Sequence, residues 1–131
     1  CCIYATAPLL EPQVISEAYQ QLINTPKAAF CFSATAFSAP IQRALRQNTD
    51  GRAEMFNPEN YAVRSQDLEP AYHDAGQFYW GAADAWLCNA EIFLNKPVMY
   101  IIPTTHVQDI DSPDDWKFAE LLFHTLQGLK A

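Results

Sequence analysis

Residues 98–116 read VMYIIPTTHVQDIDSPDDW, and this stretch decides the fold class. Val98-Met99-Tyr100-Ile101-Ile102 is an unbroken apolar run, the pattern of a strand buried on both faces. Ser112 then reads as a helix N-cap, Pro113 as the first helical residue and Asp115 as the N3 acid. Trp116, Ala119, Leu122, Phe123 and Leu126 follow at helical spacing, and Gly128 marks the expected stop. A buried strand leading into an amphipathic helix is a unit of α/β architecture.

Upstream the same alternation recurs. Cys1-Cys2-Ile3-Tyr4 resembles the middle of a buried strand, an unusual place for a natural domain to begin, which points to a piece of a longer chain. Glu11-Pro12 opens a helix carrying Val14, Ile15, Ala18, Tyr19, Leu22 and Ile23 at helical spacing, and Asn24-Thr25-Pro26 stops it. Residues 28–37 read as a strand with Phe30 and Phe32 on one face. Residues 77–80 predict another strand and residues 82–91 a helix. The expected fold is α/β with a mainly parallel sheet. Residues 43–70 interrupt the pattern: they are polar and turn-rich, with Asn48-Thr49-Asp50-Gly51 as a hairpin turn. So long an irregular stretch in a compact domain is usually functional, and an arm reaching another subunit accounts for it.

Composition narrows the function. Of 131 residues, half are hydrophobic, enough to bury one core and to disfavour disorder. A net charge of −7 gives no global basic field for nucleic acid or an anionic membrane. No apolar run is long enough to span a bilayer, and no secretory pattern is visible. The four cysteines lack CxxC spacing and are expected to be reduced, apolar residues of a cytoplasmic protein.

Asp109-Ile110-Asp111 is the sharpest chemical feature. In an extended segment residues two apart project to one side, so the two carboxylates can hold a hard cation such as Mg²⁺ while phosphate oxygens complete its shell. The competing reading is that acids before a helix favour its dipole, and Asp114 and Asp115 are assigned to that role. Arg64, in Arg64-Ser65-Gln66-Asp67, can grip a carboxylate or phosphate with its fork, or be an ordinary surface Arg. In residues 73–80, Gly76 allows close backbone approach and Gln77 and Tyr79 share a strand face. His73 is an acid–base candidate, or half of a structural pair with Asp74. There is no nucleophile elbow and no zinc spacing.

Taken in order, Ile3 to Pro8, Pro40 to Leu45, Arg64 to Leu68, His73 to Gly81 and Asp109 to Trp116 resemble the pseudaminic acid branch of the acylneuraminate cytidylyltransferase family. The resemblance implies the C-terminal portion of a Rossmann-like nucleotidyltransferase domain, with residues 40–70 as a dimerisation arm and a homodimer as the working form. It implies attack of a nonulosonic acid's anomeric hydroxyl on the α-phosphorus of CTP, with Mg²⁺ as cofactor and release of pyrophosphate. By position, Asp109 and Asp111 match the metal-binding, catalytic acid pair, Arg64 matches an Arg that meets the sugar carboxylate, Thr6 and Pro8 match a loop beside the sugar, and Gly76 and Tyr79 match the sugar-facing strand.

Departures from the sialic-acid enzymes carry information too. They have Gln where this chain has Tyr4, and Asn where it has Ala75. Both are sugar contacts there, so the replacements favour pseudaminate over N-acetylneuraminate, with legionaminate also in view. Tyr4, Gln66, His73 and Gln77 join the expected substrate-binding set. Nothing here matches the family's opening Gly/Arg/Lys loop that holds the CTP phosphates, so the chain by itself is expected to be inactive.

Overall fold

The computed structural model describes residues 1–129. The chain divides into two compact units, one of residues 1–35 with residues 74 onward, the other of residues 36–73.

The first unit is built on a four-stranded sheet. Its strands are β1 (Cys2–Ile3), β2 (Phe30–Ala36), β5 (Tyr72–Gly81) and β6 (Val98–Ile101), in the order β1-β5-β2-β6. Between β1 and β2 runs α1 (Pro12–Ile23), with Pro12 in its first turn, where a missing N–H costs nothing. Its periodic apolar face buries Ala18 and Leu22 against Cys31, Phe78 and Ile102, with Val14 and Ile15 packed at the margin. Successive β2 residues alternate between faces. Cys31 joins that cluster, while Phe32 and Ala34 turn to a second one with Tyr79. Phe30 and Phe78 are fully buried, each worth roughly 1.5–3 kcal/mol of apolar burial. Burial pushes the Cys31 thiol up to about 11, so it behaves as an inert apolar residue, whereas Cys1, Cys2 and Cys88 are exposed; all four are free.

Several expectations need correction. The sheet is not mainly parallel. β2 and β6 are parallel (Cys31↔Val98 to Ala34↔Ile101), but β1 and β5 are antiparallel (Cys2↔Tyr79), and the sheet as a whole is mostly antiparallel. The reason is topological: β5 is entered from residues 36–73, with no crossover helix between β2 and β5. Apolar patterning does not encode strand direction. β6 is not buried on both faces either. It is an edge strand whose Met99 and Ile101 are exposed, while Val98 and Tyr100 pack on the α1 cluster. β1 is likewise an edge, with Ile3 and Tyr4 exposed.

Helix ends also shift. α2 (Ala83–Leu87) is shorter than residues 82–91, because Asn89 adopts a left-handed φ of +53° just beyond it. Gly81, before α2, has no room for a side chain: a Cβ there would lie 2.4 Å from Trp86 Nε1 and 2.7 Å from Phe30 Cδ1. α3 (Pro113–Leu129) runs through Gly128 rather than stopping at it. Gly128 keeps a negative φ, and one glycine lowers helix propensity without forcing an end. Of α3's predicted apolar face, Ala119 is buried, while Trp116 and Phe123 remain exposed.

The second unit is more ordered than its composition suggests. β3 (Leu45–Gln47) and β4 (Ala53–Met55) form the expected hairpin. The Asn48 side-chain oxygen accepts the N–H groups of Asp50 (3.0 Å) and Arg52 (2.9 Å), and Gly51 supplies a φ of +76°. Arg46 donates two hydrogen bonds to Glu54 across the strands, and its guanidinium lies 5.5 Å from the Phe56 ring centroid. Gln42 donates to the Glu69 carbonyl (2.9 Å), and the Phe37 N–H to the Ala71 carbonyl (3.0 Å), drawing the ends of the unit together. None of its residues is buried.

Candidate functional site

The site in the first unit starts from an irregularity in β5. Asp74 Oδ1 accepts the Gly76 N–H two residues on (2.9 Å), and Gly76 takes a φ of +63°. Next, the N–H groups of both Gln77 (3.1 Å) and Phe78 (3.2 Å) donate to a single oxygen, Ser33 Oγ on β2. Two consecutive amides on one acceptor are what a one-residue bulge produces. Ser33 is fully buried and satisfies both. The bulge has a geometric consequence. Asp74 and Tyr79 are five apart, an odd spacing that puts side chains on opposite faces of a regular strand. Here the Tyr79 hydroxyl reaches and donates to Asp74 Oδ2.

Two contacts bring the segment after β6 against this bulge. Gln77 Nε2 donates to the His106 carbonyl (2.7 Å). The Asp109 carboxylate lies over Gly76, so that a Cβ at position 76 would be 3.5 Å from Asp109 Cγ and Oδ2. Gln108 Nε2 donates to the Asp109 carbonyl (2.7 Å) and to Asp115 Oδ1 (3.2 Å), fixing the backbone between them. Asp115 in turn accepts the Ser112 N–H (2.8 Å) and hydroxyl (2.6 Å), and its own N–H donates back to Ser112 Oγ (3.3 Å). That is the expected capping box, and the Ser112 hydroxyl is the main reason the Asp115 carboxyl is held below the usual range. Asp114 pairs with Lys117 (2.8 Å). Asp115 and Asp114 thus serve the helix, as expected. Asp111 lends the cap only its N–H, to Asp115 Oδ2 (3.3 Å).

Asp109 and Asp111 are exposed carboxylates, and no group of three or more His, Cys, Asp or Glu able to hold a metal occurs among the described residues. A pair of this kind suits Mg²⁺, which takes one or two carboxylates and fills its shell with phosphate and water oxygens.

Tyr4 follows β1, and its ring lies 5.2 Å from that of Tyr79. Tyr79 is nearly buried, Tyr4 about half exposed. Burial first, then the hydrogen bond to Asp74 and its charge, then Tyr4, hold the Tyr79 phenol far above the usual range, so it stays protonated. The structure therefore gathers Tyr4, Gly76, Gln77, Tyr79 and Asp109. Gln77 spends its amide on His106, which makes it a brace between segments. Ala75 is buried. Thr6 is exposed in the turn after β1. Arg64, Gln66 and His73 belong to the second unit. There the Arg64 guanidinium bonds Asp67 (2.8 and 3.4 Å), and the His73 ring packs 4.8 Å from that of Phe37.

Asp74, Ser33 and Gln108 are the contributors that sequence reasoning missed. Asp74-Ala75-Gly76 carries a usable signal, since Asp two residues before a left-handed Gly is a turn signature. Ser33 stands within an apolar strand, where a buried hydroxyl demands a partner.

Asp109 thus stands against a bulged strand that carries Tyr79, with Tyr4 beside it. No protein-family model matches the chain. Among curated proteins, those similar to it are cytidylyltransferases named for pseudaminic acid or N-acylneuraminate. Pseudaminic acid cytidylyltransferases of two Campylobacter jejuni strains are 44% identical over 123 residues, which is 94% of this chain and 53% of each relative. A Helicobacter pylori pseudaminic acid cytidylyltransferase that is also named as a UDP-2,4-diacetamido-2,4,6-trideoxy-beta-L-altropyranose hydrolase is 30% identical, over 84% of this chain and 21% of its own. N-acylneuraminate cytidylyltransferase B of Danio rerio is 30% identical over 92% of this chain and 28% of its own. The chain spans about half the length of the Campylobacter relatives, and the similarity read from separate motifs runs along nearly all of it.

Proposed function

We propose that this chain is the C-terminal portion of a cytidylyltransferase that forms CMP-pseudaminic acid and pyrophosphate from CTP and the free sugar acid. The observation that carries the reading is the 44% identity over 94% of the chain to pseudaminic acid cytidylyltransferases. The seating of Asp109 over Gly76 supports it, because it puts an acid of the proposed metal pair beside the proposed sugar-facing strand. The parent fold is Rossmann-like, and the sheet described here is one part of it.

In this reading the sugar's anomeric hydroxyl attacks the α-phosphorus of CTP and pyrophosphate leaves. Positioning and charge stabilisation dominate such transfers. Asp109 and Asp111 would hold Mg²⁺, which neutralises phosphate charge and orients the reacting groups. The Gln108, Ser112 and Asp115 network keeps the acid-bearing backbone preorganised. Tyr4, Thr6, Gly76 and Tyr79 line the sugar side with Gln77 as brace, and the assignment of Arg64, Gln66 and His73 to the substrate-binding set rests on the sequence resemblance.

Residues 40–70 serve as the dimerisation arm. Support comes from the exposure of Ile41, Leu45, Phe56 and Tyr61 in a unit with no buried residue, apolar area that a second copy would cover. A CTP-dependent enzyme suits the cytoplasm, and no helix among the described residues is long and apolar enough to cross a membrane.

The test is pyrophosphate release by the full-length parent with CTP, Mg²⁺ and a panel of pseudaminate, legionaminate and N-acetylneuraminate. Pseudaminate is expected to be the preferred acid, and the 131-residue chain alone is expected to be inactive. Preference for another acid would move the specificity; no turnover of any acid would reject the reading. Asp109→Asn and Asp111→Asn are each expected to lower kcat by about 100-fold or more, as loss of a charge-stabilising group does.

A further inference from the structure

We propose that the cavity between the end of α1 and the end of β5 is a second ligand site, which takes a small planar aromatic anion, its ring against Tyr19 and Trp80 and its charge on Lys27. The inference does not depend on the cytidylyltransferase reading.

The cavity is about 430 Å³, within the size range of small-molecule sites. Trp80, in its wall, packs on the α1 face of the sheet, whereas Tyr79 belongs to the cluster on the other face. The walls are mostly apolar. The Tyr19 and Trp80 rings stand 4.9 Å apart at 45°, and Ile23 beside them is 55% exposed. The Trp80 indole N–H already donates to the Ile15 carbonyl (2.9 Å), and the Thr25 hydroxyl to the Gln21 carbonyl (2.8 Å). What the indole offers a ligand is therefore its ring, which suits a flat aromatic partner. No Asp or Glu is among the lining residues. Lys27 lines the cavity and has no ion pair among the described residues.

Lys27 also holds an unfavourable backbone. The Ala28 N–H donates to the Thr25 carbonyl (3.2 Å), closing a turn with Pro26 second and Lys27 third. Lys27 has a φ of +65° there. Pro followed by a left-handed residue makes a type II turn, whose third position favours Gly or Asn. A turn that only connects α1 to β2 gains nothing from Lys at that position. A turn that must present an ammonium beside an aromatic cavity does, and strain of this kind is kept where a site needs it. An anion on an aromatic body is the ligand that uses both features.

The test is a titration of the full-length parent with 1-naphthyl phosphate, in the absence of CTP and Mg²⁺. The readout is the Trp80 indole N–H signal in ¹⁵N-tryptophan spectra, assigned by its loss in Trp80→Phe. A saturable shift is expected. 1-Naphthol should bind about tenfold more weakly, the scale of one charge-assisted hydrogen bond, and inorganic phosphate should leave the signal unmoved. Lys27→Gln should weaken 1-naphthyl phosphate by about the same tenfold factor and leave 1-naphthol within twofold, while Lys27→Arg should keep the preference for the anion. Lys27→Gly separates site from structure. It should lose the same affinity yet raise Tm by about 2 °C, because a left-handed φ does not strain Gly.

Absence of a saturable Trp80 shift overturns the inference. So does an equal shift with inorganic phosphate alone, or a Lys27→Gln affinity for 1-naphthyl phosphate within twofold of the unaltered protein. A Lys27→Gly variant that loses stability together with affinity overturns it as well, since Lys27 would then be serving the fold.

Discussion

Residues 30–35 of β2 are six consecutive buried positions, whereas residues 36–73 include none. The sheet unit is held by side-chain packing on both faces of β2, with buried hydroxyls patching its ladder. Ser33 serves β5 in this way, and Thr35 Oγ1 donates to the Ile102 carbonyl (2.9 Å). Residues 36–73 are held by turn chemistry, local backbone bonds and exposed ion pairs. The contrast separates two sources of order. Burial makes a cooperative core; local bonds define a shape without one. Side chains that must keep a fixed geometry are better carried by the first kind of order than by the second.

The sharpest way to break this contrast is Ser33→Ala. It strips two buried β5 amides of their acceptor and should destabilise the protein by about 2–4 kcal/mol in urea denaturation, since each unsatisfied buried group costs about 1–3 kcal/mol. A loss below about 1 kcal/mol would mean that the ladder re-forms without the hydroxyl. Gly81→Ala comes next. Its Cβ would press on Trp86 and Phe30, and about 1–3 kcal/mol of overpacking is expected in the same assay.

Asp115→Asn sharpens the comparison through pH. The Asp115 carboxyl lies below its unfolded value in the native protein, so its contribution is complete above about pH 3.9 and is lost as pH falls through the native value. The Tm difference between the unaltered protein and the variant should therefore be larger at pH 7 than at pH 3. Arg46→Ala in the hairpin is expected to leave global Tm unchanged, because the Arg46–Glu54 pair is exposed and its unit contributes no buried residue. A clear drop would show that residues 36–73 share the cooperative core.

What could be read beforehand follows the same division. α1, the start of α3, the hairpin at Asn48 and the capping box were legible because periodicity, Pro, Gly and cap residues act locally. The direction of β5 and the exposure of β6 were not, since partner choice and edge position are properties of the assembled sheet. In the site, the acid pair and Gly76 stood out by residue type and spacing. Asp74 was passed over as a partner for His73, because its link to Tyr79 exists only once the bulge changes which side chains share a face.

The left-handed turn at Gly76 bears on how such a protein can change over generations. The Asp109 carboxylate stands 3.5 Å from where a Cβ at position 76 would lie, an ordinary contact, so what restricts that position is its left-handed φ of +63° rather than the space beside Asp109. Lineages are then expected to keep glycine at position 76, because an L-residue there would strain the turn that Asp74 and Gly76 form. Position 76 is inherited for its backbone, whatever the side chains around it become.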